Sequence, residues 1–289
     1  MLIIRLIIYA SIVLILFNLA LVYINTHPAR YPYDNPPAIY DLKYEGVSIK
    51  TKDGLSLDGW FIPGKKGGPA LILVHGLGAG KADLVDFSPF LHKGGYNLLL
   101  FDLRAHGKSE GKATTFGYHE KNDLEAAIDY LKGRRDVDGD RIGVFGLSLG
   151  GVVALLTAAE RREIRAVAVE GVYASFPETV ARHLNIAYRL PSFPFASLAL
   201  YTFRLWFKVD PARISPVESV AKISPRALLI MAGGRDDRMT PDEAWQLYKA
   251  AGEPKELWII PGAGHLEGRV VAGAEYERRV LDFFDKYVK

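Results

Sequence analysis

The sequence contains no cysteine. That removes disulfides, thiolate zinc sites, iron–sulfur clusters and cysteine nucleophiles together, and leaves the redox compartment open. It also lacks a charge bias: 36 Lys and Arg against 33 Asp and Glu leave +3 over 289 residues, too small and too dispersed for a nucleic-acid footprint. There is no internal repeat and no low-complexity block. The run His119-Glu120-x-x-Asp123 lacks the second histidine of a zinc-protease helix, so no metal is expected, and no cofactor motif stands elsewhere. What remains is globular in composition, 49% hydrophobic and 24% charged, which excludes disorder over most of the chain. The length suits one large α/β domain or two modest ones.

Long apolar runs are scarce as well, with one exception at the N-terminus. Residues 2–24 are interrupted only by Arg5, Ser11 and Asn18. The 19 residues from Leu6 to Ile24 make a helix of roughly 28 Å, close to a bilayer core. The run ends in Leu21-Val22-Tyr23-Ile24, without the small residues of a signal-peptidase site. Residues 1–24 are therefore expected to be a transmembrane anchor, and Tyr23 stands where an interfacial aromatic would. Arg5 and the terminal amine precede the span, while Arg30 and Lys43 follow it among Asp34 and Asp41. This balance leans to a single-pass protein with its main domain extracytoplasmic. Residues 25–40 hold Pro28, Pro32, Pro36 and Pro37 and read as an extended tether. The first thirty residues are expected to anchor without catalysing.

From residue 41 to 289, strand-like and helix-like stretches alternate. Strands are expected at 46–51 and 55–63, a hairpin across Lys52-Asp53-Gly54, then at 70–75, 97–102, 142–146, 166–170, 227–232 and 257–260. Their unbroken apolar runs fit strands buried on both faces. Helices are expected at 81–93, 120–132, 149–160, 241–251 and 275–289. Leu124, Ala127, Ile128 and Leu131 show the i, i+3, i+4, i+7 stripe. Such alternation predicts an α/β fold, a mostly parallel eight-stranded sheet with helices on both faces. Between Tyr173 and Ser224 about fifty residues pass before the next strand, too many for a plain connection. Residues 191–207 carry many aromatics, Phe203 and Trp206 among them. The stretch about 176–222 is read as a helical cap over the strand ends.

Two G-x-S-x-G motifs occur, Gly107-Lys108-Ser109-Glu110-Gly111 and Gly146-Leu147-Ser148-Leu149-Gly150. A nucleophilic serine on a sharp turn needs a strand before it and a helix after it. Ser148 has both; Ser109 has neither. A serine hydroxyl needs a base, and of seven histidines only His265 lies beyond the last expected strand. An orienting carboxylate should follow an earlier strand, where Asp236 and Asp237 stand side by side. Composition does not choose between them, and Glu170 at the end of the sixth expected strand is a third candidate. His75 and His106 read as loop braces.

Together these residues resemble the α/β-hydrolase superfamily over about 245 residues from Tyr44 onward. The resemblance is carried by His75-Gly76-Leu77-Gly78, by 102–109, by Gly146 to Gly151, by 233–241 and by Gly262-Ala263-Gly264-His265. The similarity is greatest to membrane-anchored members of Bem46-like or abhydrolase-domain type. It implies the chain order Ser148, acid, His265, and an acid four residues before a proline, which selects Asp237 ahead of Pro241. It also implies an oxyanion hole from the backbone N–H groups of Leu77 and Leu149. The expected activity is a serine hydrolase cleaving carboxylic esters, lipid-like ones included, or thioesters, with Phe203 and Trp206 touching substrate. A serine peptidase or amidase of the same fold is the alternative, and a tethered non-catalytic binding protein a further one. The expected partners are a small acyl ester or lipid-like molecule and, through the N-terminal helix, a membrane, with no nucleic acid.

Overall fold

The computed structural model describes residues 1–31 and 35–289; Pro32 and Asp34 of the expected tether lie outside the described residues. Eight strands form one sheet in the order β1-β2-β4-β3-β5-β6-β7-β8. They are β1 Glu45–Lys50, β2 Ser56–Ile62, β3 Gly68–Val74, β4 Asn97–Phe101, β5 Val137–Leu147, β6 Ile164–Glu170, β7 Ala227–Gly233 and β8 Lys255–Ile260. Only β2 runs against its neighbours β1 and β4; the remaining pairs are parallel. The helices are α1 Leu2–Thr26, α2 Ser88–Lys93, α3 Lys121–Lys132, α4 Leu149–Ala158, α5 Phe176–Tyr188, α6 Ser192–Phe207, α7 Pro216–Ser219, α8 Pro241–Ala250, α9 Gly268–Ala272 and α10 Ala274–Tyr287.

Alternation along the buried strands sends successive side chains to opposite faces. Ile72, Val74, Val144, Val167 and Ile230 meet α3, α4 and α8 in one core. Leu71, Leu73, Phe145, Ala168 and Met231 meet α2 and α10 in the other. Each such Val, Leu, Ile, Phe or Met side chain contributes about 1.5–3 kcal/mol on burial. The expected helix at 81–93 is a 3-10 segment, Lys81–Phe87, followed by α2. Its first turn bends because Lys81 is drawn inward to Asp102, through both Nζ and the backbone N–H at 2.7 Å.

The cap consists of α5 and α6 followed by short turns through α7. The N-terminal helix is two residues longer than its apolar run, and it is docked rather than free. Asn18 Nδ2 donates to Thr202 Oγ1 at 2.6 Å, and Leu21 and Val22 pack with Leu184, Ala196 and Ala199 of the cap. The tether is docked too. Arg30 donates to the carbonyls of Ser109 and Gly111, and Pro37–Tyr40 is a 3-10 turn.

Candidate active site

Ser148 occupies the turn from β5 into α4 at φ 50° and ψ −117°. That backbone conformation is strained for any residue but glycine, and it persists only where the surroundings impose it. The Ser148 N–H donates to Glu170 O at 2.9 Å and its carbonyl accepts from Val152 N at 3.1 Å. The two flanking glycines are steric requirements. A Cβ on Gly146 would lie 2.5 Å from Gly150 O, and one on Gly150 would collide with Val74 O. The helix therefore starts against the sheet, closer than any side chain allows. Leu149 opens α4, so its N–H has no intrahelical acceptor. The loop after β3 lies alongside: a Cβ on Gly76 would come within 3.4 Å of Ser148 Cβ, and Leu77 follows. Ser109, by contrast, is buried, accepting from Asp58 N at 2.9 Å and donating to Asp102 O at 2.6 Å.

His265 Nε2 stands 3.2 Å from Ser148 Oγ, and its Nδ1 stands 2.7 Å from Asp236 Oδ2. The acid contacting the imidazole is thus Asp236, not Asp237. The reason is the loop beyond β7. Gly234 and Arg235 continue to pair with the histidine loop through Ile260 O and Ala263 O. Asp236 then turns inward, and its Oδ1 accepts from the N–H groups of Arg238 and Met239, both at 2.9 Å. Its side chain is fully enclosed. Asp237 is exposed, so the proline spacing misplaces the acid by one residue. Glu170 reaches elsewhere: it accepts from Gly268 N at 3.0 Å and Tyr276 Oη at 2.5 Å. Burial holds its carboxyl above the usual range, and it braces the chain just beyond His265. Gly171, at φ 65°, leaves room for the imidazole, since a Cβ there would lie 3.0 Å from His265 Cε1.

His75 is a brace. Leu103 N donates to its Nε2 at 2.9 Å, so Nδ1 carries the proton and donates to Gly76 O at 2.8 Å. Burial, then the neighbouring His106, lower its pKa from 6.5 to about 3.

Above Ser148 and His265 lies a cavity of about 680 Å³, within the range of about 300–1,000 Å³ typical of small-molecule sites. Phe116, Phe176, Leu184, Leu200 and Phe203 line it. Phe203 is held in an aromatic cluster with Phe116, Phe176 and Phe207. Trp206 does not line the cavity; it faces α1 beside Tyr23 and His27, one helical step off the lining face. Four residues of α1 do line it: Leu21, Val22, Asn25 and Thr26. Sequence reasoning passed over them, although Asn18, Leu21, Val22 and Asn25 show the i, i+3, i+4, i+7 spacing of one helix face. Among the described residues there is no cluster of His, Asp and Glu suited to a metal ion.

The sequence profile of the Alpha/beta hydrolase family matches residues 71–274. An uncharacterised protein of Mycobacterium tuberculosis is 32% identical over 235 residues, covering 79% of this chain and 76% of that one. The alpha/beta hydrolase domain-containing protein WAV2 of Arabidopsis thaliana is 29% identical over 285 residues, covering 95% and 89%. Among solved structures, the esterase Pf2001 of Pyrococcus furiosus superposes with a TM-score of 0.75 at 30% identity, covering 91% of this chain and all of that one. With the strand–serine–helix turn, the sheet order and the profile match in agreement, the chain belongs to the alpha/beta hydrolase family.

Proposed function

We propose that this protein is a serine hydrolase of carboxylic esters, with Ser148 as nucleophile, His265 as general base and acid, and Asp236 as the carboxylate that orients His265. The observation that carries the reading is the continuous line Asp236 Oδ2, His265 Nδ1, His265 Nε2, Ser148 Oγ, with spacings of 2.7 and 3.2 Å. Asp236 stays ionised and accepts a hydrogen bond from Nδ1–H, which leaves Nε2 free to take the serine proton. Ser148 Oγ attacks the ester carbonyl, and the developing oxyanion meets the N–H groups of Leu149 and Leu77. His265 then gives its proton to the departing alcohol, leaving an acyl-enzyme. A water, deprotonated by His265, releases the acid and restores the serine.

An apolar cavity favours acyl esters, including lipid-like ones and thioesters; the esterase activity named for the Pyrococcus protein supports the same class. We place α1 across a membrane, with the catalytic domain extracytoplasmic. The test is a fluorophosphonate probe together with p-nitrophenyl esters of increasing acyl length. The wild type labels and turns over, and Ser148→Ala does neither, while Ser109→Ala retains labelling. Full labelling of Ser148→Ala would sink the assignment.

A further inference from the structure

The N-terminal helix is held against the cap by polar contacts as well as apolar ones. Asn18 reaches Thr202 and Leu198 O, and Asn25 sits between Tyr188 and His183. Phe17 meets Phe195 edge-on, and Tyr23 lies beside Trp206. The pairs 17 with 195 and 23 with 206 show that α1 and α6 run in the same direction. Ahead of these contacts only residues 2–16 stand clear of the cap, all exposed but the half-buried Leu14. Fifteen residues of helix span about 22 Å, whereas a bilayer core is about 30 Å thick. The remaining distance falls along the part of α1 that is packed on α6.

The outer side of the cap suits that depth. Phe193 is 81% exposed, Tyr201 61% and Leu205 62%. Tyr23 and Trp206 then stand together at the level of the interface, where amphipathic rings are favoured. Behind this apolar side, Leu21, Val22 and Asn25 close the cavity that leads to Ser148.

We infer that the last two turns of α1 form a wall of the substrate cavity and seat the cap in the outer part of the bilayer, so that the site receives a long-chain acyl lipid from the membrane. This rests on the ester-hydrolase reading for its chemistry, but the wall is testable without turnover. The full chain is reconstituted in phosphatidylcholine nanodiscs as wild type, Val22→Trp, which fills the cavity from α1, and Ile8→Trp, which adds the same ring on the exposed stretch. Two quantities are read: the ratio of kcat/KM for p-nitrophenyl palmitate over acetate, and the Kd for cis-parinaric acid. Val22→Trp is expected to lower the ratio and weaken parinaric acid at least tenfold each, with Ser148 still labelled by a small fluorophosphonate as the sign of a folded site; Ile8→Trp is expected to match the wild type. Unchanged parinaric binding in Val22→Trp, or equal loss for palmitate and acetate, overturns the inference. If no ester is hydrolysed while parinaric binding still depends on Val22, the cavity wall stands and the hydrolase reading falls. In vesicles of lipid brominated along the acyl chains, the fluorescence quenched in wild type should be absent from Trp206→Phe; equal quenching of both would remove the cap from the bilayer.

Discussion

Both carboxylate oxygens of Asp236 are engaged, one by His265 Nδ1 and the other by the N–H groups of Arg238 and Met239. A carboxylate in this position fixes the imidazole tautomer and stabilises the imidazolium, and its loss in well-studied triads costs about 10⁴ in turnover. Asp236→Asn is therefore expected to lower kcat by several orders of magnitude, and Asp237→Asn, in solvent, to change it little. Steady-state kinetics on both variants check this, and equal losses would contradict it. A second residue-scale effect concerns acid. His75 is neutral in the fold down to about pH 3, whereas the unfolded chain takes a proton near 6.5. Between those values the unfolded state binds more protons, so stability is complete above 6.5 and declines as the pH falls toward 3. His106, whose pKa burial also lowers, acts in the same direction. Urea midpoints measured from pH 7 to 4 should fall, and His75→Gln, which keeps a donor and an acceptor but has no charge to gain, should flatten the decline.

At the scale of elements, the cap is joined to the acid loop through Glu243, at the start of α8. Arg182 of α5 pairs with Glu243 and donates to Arg238 O at 2.9 Å. The amides of Ala174 and Thr240 also donate to this buried carboxylate, at 3.3 and 3.1 Å. The two cap aromatics differ in what they touch. Phe203→Leu should alter the preference among acyl lengths, since the ring lines the cavity. Trp206→Ala should leave turnover of p-nitrophenyl acetate nearly intact while loosening α1, seen as faster proteolysis after residue 27. Identical substrate profiles for the two variants would contradict the division. This division was not readable from the aromatic run, because residues three apart on a helix share a side only approximately, and the partner helix decides which of them meets substrate.

At the scale of the molecule, α1 is continuous with the catalytic unit. Deleting residues 1–35 leaves the sheet and both cores intact, since neither contains an α1 residue. It uncovers Leu184, Ala196 and Ala199 and opens one wall of the cavity. The truncated protein is expected to fold, to label with a small fluorophosphonate, to associate through the uncovered cap and to lose its preference for long acyl chains. Circular dichroism, labelling and light scattering follow these outcomes separately. A monomeric, fully long-chain-selective truncation would show that α1 is a tether alone.

The alternation of strands and helices, the cap's place after β6 and the serine turn were legible in the sequence by itself, because each rests on short-range physics. Apolar periodicity declares an element within a dozen residues, and Gly146 is required by contacts with Gly150 and Gly151 one turn on. The acid and the N-terminal wall were decided only by tertiary structure. Which of two adjacent aspartates faces His265 depends on how Gly234 and Arg235 pair with Ile260 and Ala263, some thirty residues on. Whether Leu21 and Val22 meet lipid or substrate depends on α6, about 180 residues away. An apolar side chain serves both environments equally well, so the sequence carries no local sign of which one it meets.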